Sequence, residues 1–184
     1  MAEEKKERLL FLNGEITDGS LNSITEKILE YNREDKKKES ELKDYEREPI
    51  KLLINSPGGS VYSTLGLINT MELSKTPIHT YCIEKAMSGG FLIFCSGDKR
   101  FAHPEASLMW HDMSYMNHGT LKQHKEDSEW YTKLMKTLTR KVFKNTRITE
   151  EQLDKVYETK KDWYMTGEEA KKLDVCTDIM EELI

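Results

Sequence analysis

The chain has 184 residues, 37% of them hydrophobic and 33% charged, with a formal net charge of −5. That length suits one domain, residues 1–184, with a single sizeable core. The mild acidic balance, with both signs interspersed, speaks against nucleic acid as the main partner. No stretch approaches the roughly 18 apolar residues of a membrane span. Met1 to Arg8 is charged and lacks the apolar core of a secretory signal, so a cytoplasmic location is expected. The three cysteines, Cys82, Cys95 and Cys176, are odd in number and fit no zinc spacing. They read as buried free thiols of a reducing compartment, and no metal or other cofactor is expected.

In chain order, Arg8 to Ile16 reads as a strand ending in a turn at Asn13-Gly14. Leu21, Ile24, Ile28 and Tyr31 then mark one face of a helix. Residues 33–48 are almost all charged, with only Leu42 and Tyr45 to bury. They read as a peripheral insertion, either a solvated helix extension or a mobile segment. Ile50 to Ile54 is a short buried strand running into the tight loop Asn55-Ser56-Pro57-Gly58-Gly59-Ser60. Val61, Leu65, Ile68 and Met71 face one side of the helix that follows and stops before Pro77.

Ile78 to Ile83 is the next strand. Ser88 follows within Ala86-Met87-Ser88-Gly89-Gly90, ahead of a short apolar helix to Cys95 and a turn at Gly97-Asp98. Ala106 to Trp110 is another strand, with His111 at its end. Thr120 to Gln123 is a capping box opening a long helix, on the order of 35 Å, with positions 121, 128, 131, 135, 138 and 142 on one face. Such a helix either projects onto a partner subunit or covers its own sheet. Further capping boxes start at Thr149 and Thr166, and between their helices a connector, residues 160–165, carries Asp162. Strands alternating with helices predict an α/β fold with largely parallel strands, whose ligands gather at the strands' carboxyl ends. The Gly58-Gly59 loop, Ser88 and His111 all fall there.

Ser88 sits on a sharp strand-to-helix turn, flanked by glycines that tolerate unusual backbone angles. It reads either as a helix N-cap or as a nucleophile. The Gly89 amide at the helix start and the Pro57-Gly58-Gly59 loop offer a pair of backbone donors for an oxyanion; one such donor contributes about 3–4 kcal/mol to a transition state. Otherwise the glycines merely shape a turn. Serine acyl transfer also needs an imidazole and a carboxylate. Of five histidines, His111 is the one at a strand end. Asp154, Asp162 and Asp174 are all open choices by spacing. Neither a P-loop nor a dinucleotide fingerprint is present.

The strings Ile54-Asn55-Ser56-Pro57-Gly58-Gly59-Ser60-Val61, Ala86-Met87-Ser88-Gly89-Gly90, Met109-Trp110-His111 and Asp162 to Ala170 resemble the proteolytic subunit of the Clp protease, in that family's order and near its spacing. The similarity runs from about Arg8 to the C-terminus, excepting 33–48. The resemblance implies a crotonase-like spiral of ββα units. It implies a catalytic triad of Ser88, His111 and Asp162, and an oxyanion hole of the Gly59 and Gly89 amides. A handle helix, about 118–145, would interlock two stacked heptameric rings around a proteolytic chamber fed by a hexameric AAA+ unfoldase. Peptides would bind as an added strand beside Gly58, Ser60 and Val61 on one side and Asp112 and Met113 on the other.

The chain departs from the family in four places. Only Met1 to Arg8 precede the first strand, where relatives carry axial loops that contact the unfoldase. Residues 33–48 are longer and more charged. Gly89 stands where a methionine is typical. Residues 112–116 lack the usual glycine-rich run. Such short variants resemble phage or accessory-locus forms, in which a related fold serves capsid maturation. The leading expectation is thus a self-compartmentalised serine endopeptidase. A phage capsid-maturation protease of the same fold, an acyl-CoA enzyme of the crotonase type and an inactive ring subunit are the alternatives.

Overall fold

The computed structural model describes residues 7–114, 118–144 and 146–183, the side chains at 141 and 142 excepted. These residues form an α/β fold built on a seven-stranded sheet. The strands are β1 (Leu9–Asn13), β2 (Ile50–Ser56), β3 (Ile78–Met87), β4 (Lys99–Ala102), β5 (Ser107–Trp110), β6 (Trp163–Met165) and β7 (Asp178–Ile179). The helices are α1 (Asn22–Glu41), α2 (Val61–Leu73), α3 (Gly89–Cys95), α4 (Leu121–Phe143), α5 (Glu150–Thr159) and α6 (Gly167–Lys172). All pairings are parallel except β5 with β6.

β3 is the pivot. One edge pairs with β2; the other pairs first with β4, through His79–Cys82, and then with β5, through Lys85–Met87. That change of partner starts the expected spiral. The register against β2 slips between Ile54 and Ser56, so Ile54 faces Cys82 while Ser56 faces Ala86. The bulge leaves Ile83 and Glu84 exposed, and this polar interruption is why the sequence pattern ends the strand at Ile83 when it continues to Met87. Its effect is to carry the chain forward and deliver Ser88 beyond the sheet.

The core lies between the sheet and its helices. Along β2, Ile50, Leu52, Ile54 and Ser56 are buried while the intervening residues are half-buried, the period of a strand with one covered face. Every residue of α3 is buried, which is why that short segment is apolar all round. On the other face Tyr81 stacks on Phe101, its partner across β3–β4, at 4.8 Å. Cys82, Cys95 and Cys176 are free and buried. Burial pushes the Cys82 thiol up to about 12 and the Cys176 thiol up to about 11.

The charged segment 33–48 is partly a helix extension, since α1 runs to Glu41. It is not wholly peripheral. Asp35 is 0% exposed and takes two hydrogen bonds from the Arg8 guanidinium, at 2.8 and 2.6 Å, one from Tyr45 Oη at 2.6 Å and one from Thr76 Oγ1 at 2.7 Å. Burial alone would raise this carboxyl, but those donors outweigh it and hold it at about 2. Arg8 also donates to the Glu48 carbonyl and lies over the Tyr31 ring. The network therefore ties the start of β1 to both ends of the charged segment. Leu42 is exposed, with the hydroxyl of half-buried Tyr45 directed inward instead.

All three capping boxes form, at Thr120, Thr149 and Thr166. The long helix α4 has two characters. Its foot buries Leu134, Met135, Leu138 and Phe143, whereas Leu121 is 91% and Trp130 50% exposed in its outer half. Of the expected face, Tyr131 is half-buried, Ser128 is polar and exposed, and the side chain at 142 lies outside the described residues. The helix thus covers its own core at one end and projects at the other.

Candidate active site

Ser88 joins β3 to α3 with φ +52° and ψ −121°. A non-glycine residue in that region carries backbone strain of about 1–3 kcal/mol, held here by its surroundings. Its N–H donates to Met109 O at 2.9 Å and its carbonyl accepts from Leu92 N–H at 3.1 Å, so strand β5 and helix α3 grip it from both sides. The hydroxyl makes no helix-capping bond. It lies instead 2.8 Å from His111 Nε2. The N-cap alternative is therefore set aside: the residue occupies the cap position, but its side chain is turned to the imidazole.

His111 follows directly on β5. The connector carrying Asp162 is in part a strand, β6, antiparallel to β5, with Trp110 opposite Trp163. Continuing that register by one residue sets His111 opposite Asp162. Asp162 Oδ1 lies 3.9 Å from His111 Nδ1, within ion-pair reach but too long for a hydrogen bond. Its side chain is 48% exposed. Asp174 pairs with Arg147 instead, and Asp154 lines a cavity with Tyr157 and Lys160.

The loop before α2 closes over Ser88. Ser56 Oγ donates to Gly14 O at 2.6 Å and accepts from Gly58 N–H at 3.1 Å, fixing the turn. Gly58 has φ +99°, and a Cβ there would stand 2.6 Å from Ser88 Cβ and 3.0 Å from Gly89 N. Only glycine permits that approach. Ile16 bridges to Gly59 by donating to Gly58 O and accepting from Ser60 N–H, both at 2.8 Å. In parallel pairing those bonds flank the partner residue, so the Gly59 amide itself points away from Ile16. The Gly89 amide is one of the unpaired donors of the first turn of α3. A Cβ on Gly89 would meet Thr64 Oγ1 at 2.5 Å and Ile16 Cδ1 at 3.2 Å. Those two side chains fill the space that a larger residue would need.

Beside Ser88 lies a cavity of about 240 Å³ that includes Gly59, Val61, Met113 and His111 in its lining. Leu92, Met109, Met135 and Leu138 are also in its apolar lining, and the sequence reading named none of the four as substrate-binding because buried apolar residues read simply as core. Two of the expected substrate-binding residues are engaged elsewhere. Ser60 spends its N–H on Ile16 and its hydroxyl on capping α2 at Ser63 N–H. The Asp112 carboxylate pairs with Lys160 Nζ. Gly58 backs Ser88. Positions 115 and 116 lie outside the described residues. Two of the other histidines stand apart: His79 lies on β3, where burial and then Lys99 lower its pKa, and His103 accepts from Glu105 N–H.

A family model for Clp protease matches residues 2–182. The chain belongs to the Clp protease family. Membership makes this Clp protease homologue a serine peptidase by class, and the match begins before Arg8 and runs across 33–48, which the sequence reading had left out of the similarity. Among the described residues of this Clp protease family member, no helix is long and apolar enough to cross a membrane.

Proposed function

We propose that the chain is a serine endopeptidase in which Ser88 is the nucleophile, His111 the general base and acid, and Asp162 the carboxylate that orients the imidazole. The observation that carries this reading is the 2.8 Å contact between His111 Nε2 and the uncapped hydroxyl of a backbone-strained Ser88. Ser88 Oγ attacks the peptide carbonyl carbon as its proton passes to His111 Nε2. The carbonyl oxygen becomes an oxyanion between the Gly59 and Gly89 amides. The C–N bond then breaks, and the amine leaves with the proton from His111. Water repeats the sequence on the ester and releases the acid.

The imidazolium formed on attack faces Asp162 across 3.9 Å. Closing that gap by about 1 Å gives a charge-assisted hydrogen bond, and assembly is the event we assign to it. The family resemblance supports stacked, heptameric rings enclosing the sites, and the projecting half of α4 offers exposed Leu121 and Trp130 for such contacts. A AAA+ unfoldase is the corresponding partner, and unfolded polypeptide in the cytoplasm the substrate.

Hydrolysis of an internally quenched peptide, followed together with solution mass, tests the reading. Cleavage that tracks the ring species and vanishes in Ser88→Ala is expected. Equal cleavage by wild type and Ser88→Ala refutes it.

A further inference from the structure

The ladder between β5 and β6 ends at Trp110 and Trp163. Past that pair the two chains run on without it: His111 and Asp112 leave β5, while Lys160, Lys161 and Asp162 lead into β6. Across the opening a bond runs from Lys160 Nζ to the Asp112 carboxylate. Asp112 is the neighbour of His111, and Lys160 stands two residues before Asp162. The ion pair therefore closes a short circuit: His111 to Asp112, across to Lys160, on to Asp162, and back to His111 over 3.9 Å.

The backbone at Lys160 is the second observation. Lys160 ends α5 with φ +54° and ψ +30°, donating its N–H to Val156 O at 3.0 Å. A left-handed cap of this kind is usually a glycine, which has no Cβ to strain it. A lysine there strains the backbone, and what it adds is an ammonium on Asp112. The pair contributes little to global stability, because the Lys160 side chain is 72% exposed and exposed pairs are weak. Its effect is local. Lys136 and Asp154 line the same cavity as the pair, so both signs of charge surround it, and reversing the pair leaves their balance unchanged.

We propose that Lys160 is a positioning residue for the triad. Through Asp112, its ammonium holds the exit of β5 against the connector into β6. That keeps the His111 imidazole and the Asp162 carboxylate close enough to pair when the imidazole takes the Ser88 proton. Lys160 itself touches neither substrate nor the reacting atoms. The inference rests on the peptidase reading above.

The test uses the full chain at a fixed protein concentration, an internally quenched peptide without charged residues, and solution mass and urea unfolding measured alongside. Lys160→Gly removes the ammonium and relieves the left-handed backbone. It should lower kcat by about 10- to 10²-fold, the effect of a misplacement of up to about 1 Å, with KM little changed and stability no lower than wild type. Lys160→Arg returns a cation to the position and should bring kcat back to within about threefold of wild type. Asp112→Lys sets two ammonium groups together and should be slow as well. Adding Lys160→Asp, a residue the left-handed region tolerates, should recover about tenfold. A wild-type kcat in Lys160→Gly, a change confined to KM, or a Lys160→Arg as slow as Lys160→Gly overturns the proposal. So does a Lys160→Gly protein that is slow only because it is less folded or smaller in mass than wild type. Fluorophosphonate labelling separates the positioning role from the peptidase reading. Ser88 labelled at one rate in wild type and Lys160→Gly refutes the positioning role alone, while a wild type that neither labels nor cleaves refutes both together.

Discussion

Replacing Asp35 by Asn tests whether the charged segment is an anchored part of the fold. The substitution keeps the shape of the side chain and removes its charge. Arg8, only 7% exposed, then loses its counter-ion while remaining fixed by the Glu48 carbonyl. Breaking a buried pair from one side costs about 3–5 kcal/mol, a large share of the about 5–15 kcal/mol that holds a domain folded. The acid dependence gives a second, independent number. The folded Asp35 carboxyl sits at about 2, below its ordinary 3.8. A depressed carboxyl stabilises the fold above its unfolded pKa, and that contribution disappears as pH falls through the folded value. The difference corresponds to about 2 kcal/mol, fully present above about pH 4 and gone near pH 2. Urea unfolding at a series of pH values measures both effects. Asp35→Asn should be less stable than wild type at pH 7, and the gap should narrow by about 2 kcal/mol between pH 5 and pH 2. A gap that is absent at neutral pH, or constant throughout, refutes the account of the network.

Three further outcomes follow from the site and the core. Gly89→Ala pushes a Cβ against Thr64 Oγ1 and should slow labelling of Ser88 by about 10²-fold through a displacement near 1 Å; adding Thr64→Ala should restore much of the rate, and a double variant no faster than the single would show that the clash lies elsewhere. Asp162→Asn should lower kcat by between about 10²- and 10⁴-fold with little change in KM, and a wild-type kcat in steady-state peptide hydrolysis would remove Asp162 from the mechanism. Cys82, Cys95 and Cys176 are buried, with pKa values raised by burial, so a disulfide thiol reagent at pH 8 should titrate none of them in the native protein and all three after denaturation. Rapid native reaction would contradict the packing around them.

Much of the candidate site was legible because the residues drawn together there are distinctive types at element ends. The glycines beside Ser88 and in the preceding loop, and a histidine closing a strand, point to acyl transfer without any contact being known. The choice of aspartate was not legible in the residues themselves, since Asp154, Asp162 and Asp174 are alike in spacing; the family resemblance selected Asp162, and the β5–β6 register sets it opposite His111. That strand escaped notice because Trp163–Met165 is too short for alternation to register. β4 escaped because Lys99-Arg100-Phe101-Ala102 looks charged, although Arg100 is buried and spends its guanidinium on the carbonyls of Gly97, Asp174 and Val175. The role of Asp35 was hidden for the opposite reason. One buried carboxylate among many solvated ones has no local signature, and its three donors come from positions 8, 45 and 76.

The central claim is that His111 activates Ser88. Intact-mass analysis after exposure to a serine-reactive fluorophosphonate tests it directly, with Ser88→Ala and His111→Ala alongside. The account predicts a single adduct on wild type that maps to Ser88 and is absent from both variants. Absence of any adduct at every protein concentration tried, or an adduct that persists in His111→Ala at the wild-type rate, would contradict it.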